Sequence, residues 1–164
     1  MRQPFYNMNL SKHETYMALA LQEAQKAFIK DEVPIGAVLV LNGVVIAQAH
    51  NLRETSQQAD AHAESLVIRE ACEKLGTWHL DGAILYVTLE PCTMCTGVSI
   101  LSRVDTIVYG ASDPKGGSLG SLYDLTLIKG FNHYPKVISG ILDEECSSLL
   151  KSFFASKRNK KIET

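Results

Sequence analysis

The chain has 164 residues, enough for one ordinary domain with a buried core. With 46 % hydrophobic and 21 % charged residues it is not composed like a disordered protein. A net charge of −2 argues against nucleic-acid binding through overall basicity, and no segment reaches the roughly 18 apolar residues of a membrane span.

The start, "MRQPFYNMNLSKHE", has no apolar run of signal-peptide length, so the expected compartment is the cytoplasm. Ser11 and Glu14 form a capping-box pattern, and Met17, Leu21, Ala24 and Phe28 follow at helical spacing, which predicts a helix ending near Lys30. "GAVLVL", Asn42–Gly43 and "VVIAQAH" read as a hairpin, since Asn-Gly suits the left-handed positions of a tight turn. A polar loop from about Asn51 to Asp60 leads into "HAESLVIREACEKLG", with Asp60 as the expected N-cap, Leu66, Val67, Ala71 and Leu75 as the buried stripe, and Gly76 as the stop. "AILYVTL" is a run of strand type. Pro91 after it is expected at the first helical position, where its missing N–H costs nothing. "VDTIVYGA" is another strand, "SDPKGGSLGS" a Gly-rich loop, "SLYDLTLI" a short helix and "KVISGI" a strand, before a final helix from about Asp143. The alternation predicts a single domain over 1–164, an α/β sheet with helices on its faces.

Charge is unevenly distributed along this plan. Residues 151–164 carry Lys151, Lys157, Arg158, Lys160 and Lys161 against Glu163, leaving 11 basic and 17 acidic residues elsewhere. This basic end either steers a polyanion to one place or is a solvated helix end.

His62 and Glu64 fall in the first turn of one predicted helix, Cys92 and Cys95 in the first turn of another. Residues three apart share a helix face, so both sulfurs can point at one ion. Helix N-termini favour the thiolates that zinc requires. His62, Cys92 and Cys95 are one ligand short of tetrahedral, the mark of catalytic zinc, at which water becomes acidic enough to act at neutral pH. Cys72 lies ten residues beyond His62, about 15 Å along a helix, too far to close the shell; His13, His50, His79 and His133 leave a closed structural site open as an alternative. A C-x-x-C redox pair is a further reading, but it gives His62 and Glu64 no task. Glu64, beside the ion without binding it, is suited to carry protons. Glu90 ends a strand and is expected to hydrogen-bond within the structure. Cys72 and Cys146 are read as small core residues.

H-x-E followed by P-C-x-x-C is the established signature of zinc nucleobase deaminases. Beyond it, the chain resembles the bacterial tRNA-specific adenosine deaminases from about Met17 to Phe154, in "EVPIGAVLV", "AHNLRET", "AHAE", "LYVTLEPCTMC", "YGASDPKGG", "FNH" and the "FF" of the last helix. The resemblance implies a three-layer α/β/α, cytidine-deaminase-like fold with a mixed five-stranded sheet, a homodimer, one Zn2+ per chain, and conversion of adenosine to inosine at the wobble position of a tRNA anticodon. It implies that His62, Cys92 and Cys95 bind zinc, that Glu64 shuttles protons, that Asn51 hydrogen-bonds the flipped base, and that Asp113, Lys115 and Asn132 meet the tRNA. The chain departs from the family pattern at Ser118, Tyr123 and Val98, and at Ala155 and Ser156, where an arginine is common after "FF". A free-base or nucleoside deaminase with the same zinc site is the alternative activity, and a non-catalytic zinc module a third.

Overall fold

The computed structural model describes the backbone of residues 3–163 and the side chains of residues 12–163. Five strands form one sheet in the order β2-β1-β3-β4-β5: β1 (Gly36–Leu41), β2 (Val44–His50), β3 (Ile84–Leu89), β4 (Thr106–Ala111) and β5 (Lys136–Ile138). β1 runs antiparallel to β2 and β3, while β3, β4 and β5 are mutually parallel, so the sheet is mixed. The hairpin forms as expected, with Asn42 and Gly43 at φ 51° and 74°, both in the left-handed region that the tight turn demands.

Strand alternation separates two cores. Ala37 and Leu39 of β1 join Leu85, Val87, Ile107 and Tyr109 on one face, covered by Ala63, Val67, Ile68 and Ala71 of α3 (Ala63–Leu75). α4 (Thr93–Leu101) lies beside α3, and its Val98 packs against the same cluster. Val38 and Val40 point the other way, towards Tyr86 and Val108, under Met17 and Ala20 of α1 (Gln3–Ile29) and Cys146 of α5 (Asp143–Ile162). β1 is thus covered on both sides, which explains its nearly unbroken apolar run. The architecture is the expected α/β/α sandwich. Among the described residues no helix is long and apolar enough to cross a membrane.

Several local expectations need correction. α1 begins at Gln3, so Ser11 lies inside it and is not its start; Pro4 sits in the first turn, where proline is tolerated. The cap proposed for the Ser11 side chain lies outside the described side chains. The loop after β2 contains a single helical turn, α2 (Arg53–Ser56). Asp60 does not cap α3: its carboxylate lies 3.7 Å from Arg69, and His62 takes the N-cap position. Leu75 is 36 % exposed and Leu66 half-buried; Ala63 and Ile68 complete the buried stripe instead, on the helix face that packs against the sheet. Pro91 precedes the N-cap of α4, which is Cys92. "SLYDLTLI" forms only one 3-10 turn, Leu125–Leu127, whose N-terminus is satisfied by the Asp124 carboxylate accepting from the Thr126 N–H at 2.9 Å. Cys146 is buried as expected, but Cys72 is half-buried.

α1 crosses β1 so closely that a Cβ on Gly36 would run into the Ala20 carbonyl oxygen and the Ala24 nitrogen. Gly36→Ala is therefore expected to destabilise the fold by about 1–3 kcal/mol, read as a lower denaturant midpoint at unchanged slope.

Candidate metal centre and active site

Two helices start at the same place. His62, the N-cap of α3, has φ −79° and ψ 150°; Cys92, the N-cap of α4, has φ −75° and ψ 175°, and neither side chain caps its own helix. Their extended backbones turn the side chains away from the helix axes and towards one another. Cys95, in the first turn of α4, completes a cluster whose ligand atoms all lie within 4.8 Å of one another. His62 Nδ1 is 3.6 Å from Cys92 Sγ and 3.6 Å from Cys95 Sγ. A sulfur at about 2.3 Å and a nitrogen at about 2.1 Å from a tetrahedral zinc are themselves about 3.6 Å apart. The donor set therefore fits that ion in spacing as well as in chemistry. Among the described residues no further His, Cys, Asp or Glu joins the group.

Protons are already unevenly shared in this cluster. A hydrogen bond from the Cys95 thiol, reinforced by His62, holds the Cys92 thiol well below the usual thiol range against the opposing effect of burial. The same sharing, with burial, pushes Cys95 up, and the bond to Cys92 raises His62. Of the two sulfurs, Cys92 is the one that gives up its proton to a cation more readily. Glu64 is 4 % exposed, outside the donor set, and burial pushes its carboxyl up to about 7 against the pull of its own backbone N–H and of His62. A carboxyl in that range can both accept and release a proton near neutral pH.

The cluster opens into a cavity of about 190 Å³ whose wall includes Val33, Ile35, Asn51, Arg53, His62 and Ala63. Asn51 is buried, and its amide is held by two bonds: Nδ2 donates to the Val33 carbonyl at 3.2 Å, and Oδ1 accepts from the Arg53 N–H at 3.1 Å. Glu32, which motif reading passed over, is also buried here and accepts from the Thr55 N–H at 2.5 Å and the Glu54 N–H at 3.2 Å. It pins α2 to the rim. Its signal in the sequence was only its place in "EVPIG".

The remaining sequence-derived residues lie elsewhere. Asp113 Oδ1 accepts from the Lys115 N–H at 3.0 Å, an ordinary Asx turn. Glu90 makes the expected internal bonds, accepting from the Asp113 N–H at 3.0 Å and the Ser121 N–H at 3.1 Å. Lys115 is exposed and joins Lys151, Phe154, Lys157, Arg158 and Lys161 around a groove of about 490 Å³. Phe153 is buried as an anchor of α5, whereas Phe154 is 45 % exposed beside those cations. Asn132 is exposed in the loop before β5, at the opposite sheet edge from β2, the strand that leads to Asn51.

An α/β/α sheet bearing a His/Cys/Cys cluster, with a buried glutamate two residues from the histidine, defines a nucleobase-deaminase centre. The family model described as MafB19-like deaminase matches residues 11–158. The chain is 59 % identical over 152 residues to a tRNA-specific adenosine deaminase of Bacillus subtilis (strain 168), across 93 % of this chain and 94 % of that protein. It is 47 % identical over 149 residues to one of Agrobacterium fabrum (strain C58 / ATCC 33970), across 91 % and 98 %. A structure solved in work on A-to-I editing by tRNA:A34 deaminases at the wobble position of transfer RNA matches with TM-score 0.77 and 47 % identity, over 82 % of this chain and 98 % of that one. A guanine deaminase from Nitrosomonas europaea matches with TM-score 0.71 and 25 % identity, over 87 % and 84 %. The chain belongs to the family of the tRNA-specific adenosine deaminases.

Ser118, a departure from the family pattern, is buried, and its hydroxyl bonds the Thr96 hydroxyl at 2.8 Å and the Pro91 carbonyl at 3.0 Å. It ties the Gly-rich loop to the turn that carries the cysteines. Ser118→Ala strands the buried Thr96 hydroxyl and is expected to cost about 1–3 kcal/mol, measurable as a lower Tm.

Proposed function

We propose that this protein, as one catalytic domain spanning 1–164, deaminates adenosine to inosine at the wobble position of a tRNA anticodon, with His62, Cys92 and Cys95 as the ligands of one zinc ion. The observation that carries the metal assignment is the 3.6 Å spacing of the imidazole nitrogen from both sulfurs. The adenosine assignment rests on the kinship with tRNA-specific adenosine deaminases.

The zinc, when bound, supplies a Lewis acid that makes water a competent nucleophile at neutral pH. Glu64 takes a proton from the attacking water and passes it to the ring nitrogen next to the carbon under attack. Glu64 then carries the remaining proton of the added hydroxyl to the amino group, which leaves that carbon as ammonia, and the carbonyl of inosine remains. Burial of Glu64 suits this exchange, because its raised proton affinity keeps both protonation states accessible. Asn51, fixed at the cavity wall, hydrogen-bonds the base, which must be unstacked to enter; an anticodon loop gives up its stacking more cheaply than a duplex. Asp113, Lys115 and Asn132 contact the RNA outside the cavity.

A second copy of the chain is the proposed partner. An apolar hollow of about 430 Å³ on the α3–α4 face is lined by Ile68, Cys72, Trp78, Met94, Val98 and Leu101. Trp78 is 57 % and Leu101 70 % exposed, and exposed apolar patches of this kind mark association surfaces. The cytoplasm, where tRNA is modified, is the proposed location.

Two experiments test the reading. Ammonia release is expected from an anticodon stem-loop and not from free adenine, guanine or cytosine; the reverse would favour a free-base deaminase. Within that assay Glu64→Ala should retain zinc while losing roughly 10²–10⁴-fold in rate, whereas Cys92→Ser should lose zinc and activity together.

The basic groove beside Lys115 gives the second test. Replacing Lys115, Lys151, Arg158 and Lys161 with Gln should leave zinc content and Tm nearly unchanged and weaken stem-loop binding. Each lost phosphate contact should reduce the slope of log affinity against log salt by about 0.7–0.9. An unchanged slope would make this groove an ordinary solvated surface.

A further inference from the structure

A flipped nucleotide brings at least one phosphate to the mouth of the pocket that takes its base. The lining of this cavity includes two carboxylates, the buried Glu32 and the exposed Glu54, and one arginine, the exposed Arg53. Glu32 is occupied by two backbone N–H groups, but it and the exposed Glu54 still oppose an approaching anion. Something positive has to offset them.

Arg53 is built for that task in two respects. Its backbone is fixed at both ends: the N–H donates to Asn51 Oδ1 at 3.1 Å, and the carbonyl accepts from the Gln58 N–H at 3.2 Å and from the Gln57 N–H. Its side chain is not tied to a carboxylate, and its charge faces His62. Lys26, Lys74, Lys157 and Arg69 each face a carboxylate. Among the described residues the Arg53 guanidinium has neither an ion pair nor a hydrogen bond, although it is exposed beside two glutamates. An arginine on a rigid turn, unpaired at an acidic rim, keeps its five donors for a ligand, and a planar fork matches phosphate oxygens.

We propose that Arg53 binds a phosphate flanking the target adenosine, forming the outer half of a clamp whose inner half is Asn51 on the base. The inference rests on the nucleotide reading given above. Because Asn51 Oδ1 accepts from the Arg53 N–H, the two residues form one rigid unit, and the distance between base and phosphate is set by a single turn of chain. That couples base entry to the presence of a backbone phosphate, which a free base or nucleoside lacks.

The test uses the full-length, zinc-loaded protein in a Glu64→Ala background, so that the RNA is bound but not consumed. Stem-loop affinity is measured over a range of salt with Arg53, Arg53→Lys and Arg53→Gln. The RNA is either unmodified or carries a neutral methylphosphonate on the 5′ or the 3′ side of the target adenosine. Arg53→Gln should weaken the unmodified RNA about tenfold or more and lower the salt slope by about 0.7, with Arg53→Lys recovering part of both. With one of the two neutralised RNAs the difference between Arg53 and Gln should vanish. An Arg53→Gln protein that binds with wild-type affinity and slope would overturn the proposal, as would a penalty that persists with both neutralised RNAs. Failure of the unmutated protein to form inosine in the stem-loop would instead overturn the reading of the reaction, leaving the phosphate contact measured in its own right.

Discussion

Everything in the site depends on two helices that begin without a capping side chain. His62 and Cys92 occupy positions where Ser, Thr, Asp or Asn would satisfy a free backbone N–H, and neither does so. Giving up a good cap costs about 0.5–2 kcal/mol at each helix. What the fold gains is an extended residue at each N-cap, with a side chain free to reach across the gap between α3 and α4. A proposed metal held by both would restore, as a bond between the helices, the stability that each start gives up.

Three buried glutamates around this centre show how environment assigns a role to one residue type. Glu32 and Glu90 each accept two backbone N–H bonds, and each ties down a loop: α2 at the rim of the cavity for Glu32, the turn from Asp113 to Ser121 for Glu90. Their oxygens are filled, which makes them braces. Glu64 has no such pair of loop donors. Burial dominates it, its carboxyl rises to about 7, and it alone of the three lies beside His62 and Cys95. The carboxyl that no loop N–H groups occupy is the one available for proton transfer.

Much of this was legible in the sequence, and the parts that were not have physical causes. Asn42–Gly43 announced its hairpin because few residue pairs tolerate two successive positive φ angles. The cluster was legible because thiolate and imidazole at such spacings have few other uses. Asp60 and Pro91 misled for one shared reason: each is a standard helix-start signal, displaced here because the N-cap positions belong to His62 and Cys92. Phe154 could not be separated from Phe153 by pattern alone, since adjacent helical residues face about 100° apart and only packing against Phe28 picks out the inner one. Arg53 was invisible as a candidate, because an exposed arginine acquires meaning only from what stands around it in space.

In the proposed metal centre two helix starts supply three donors and leave a fourth position open, and the coordination shell of the metal itself reports on that arrangement. X-ray absorption at the zinc edge of the metal-loaded protein should give two sulfurs at about 2.3 Å and one imidazole nitrogen at about 2.0–2.1 Å, with one further light atom exchangeable with solvent. A shell of four protein donors, a shell with fewer than two sulfurs, or no tightly bound zinc at all would rule out this three-donor centre.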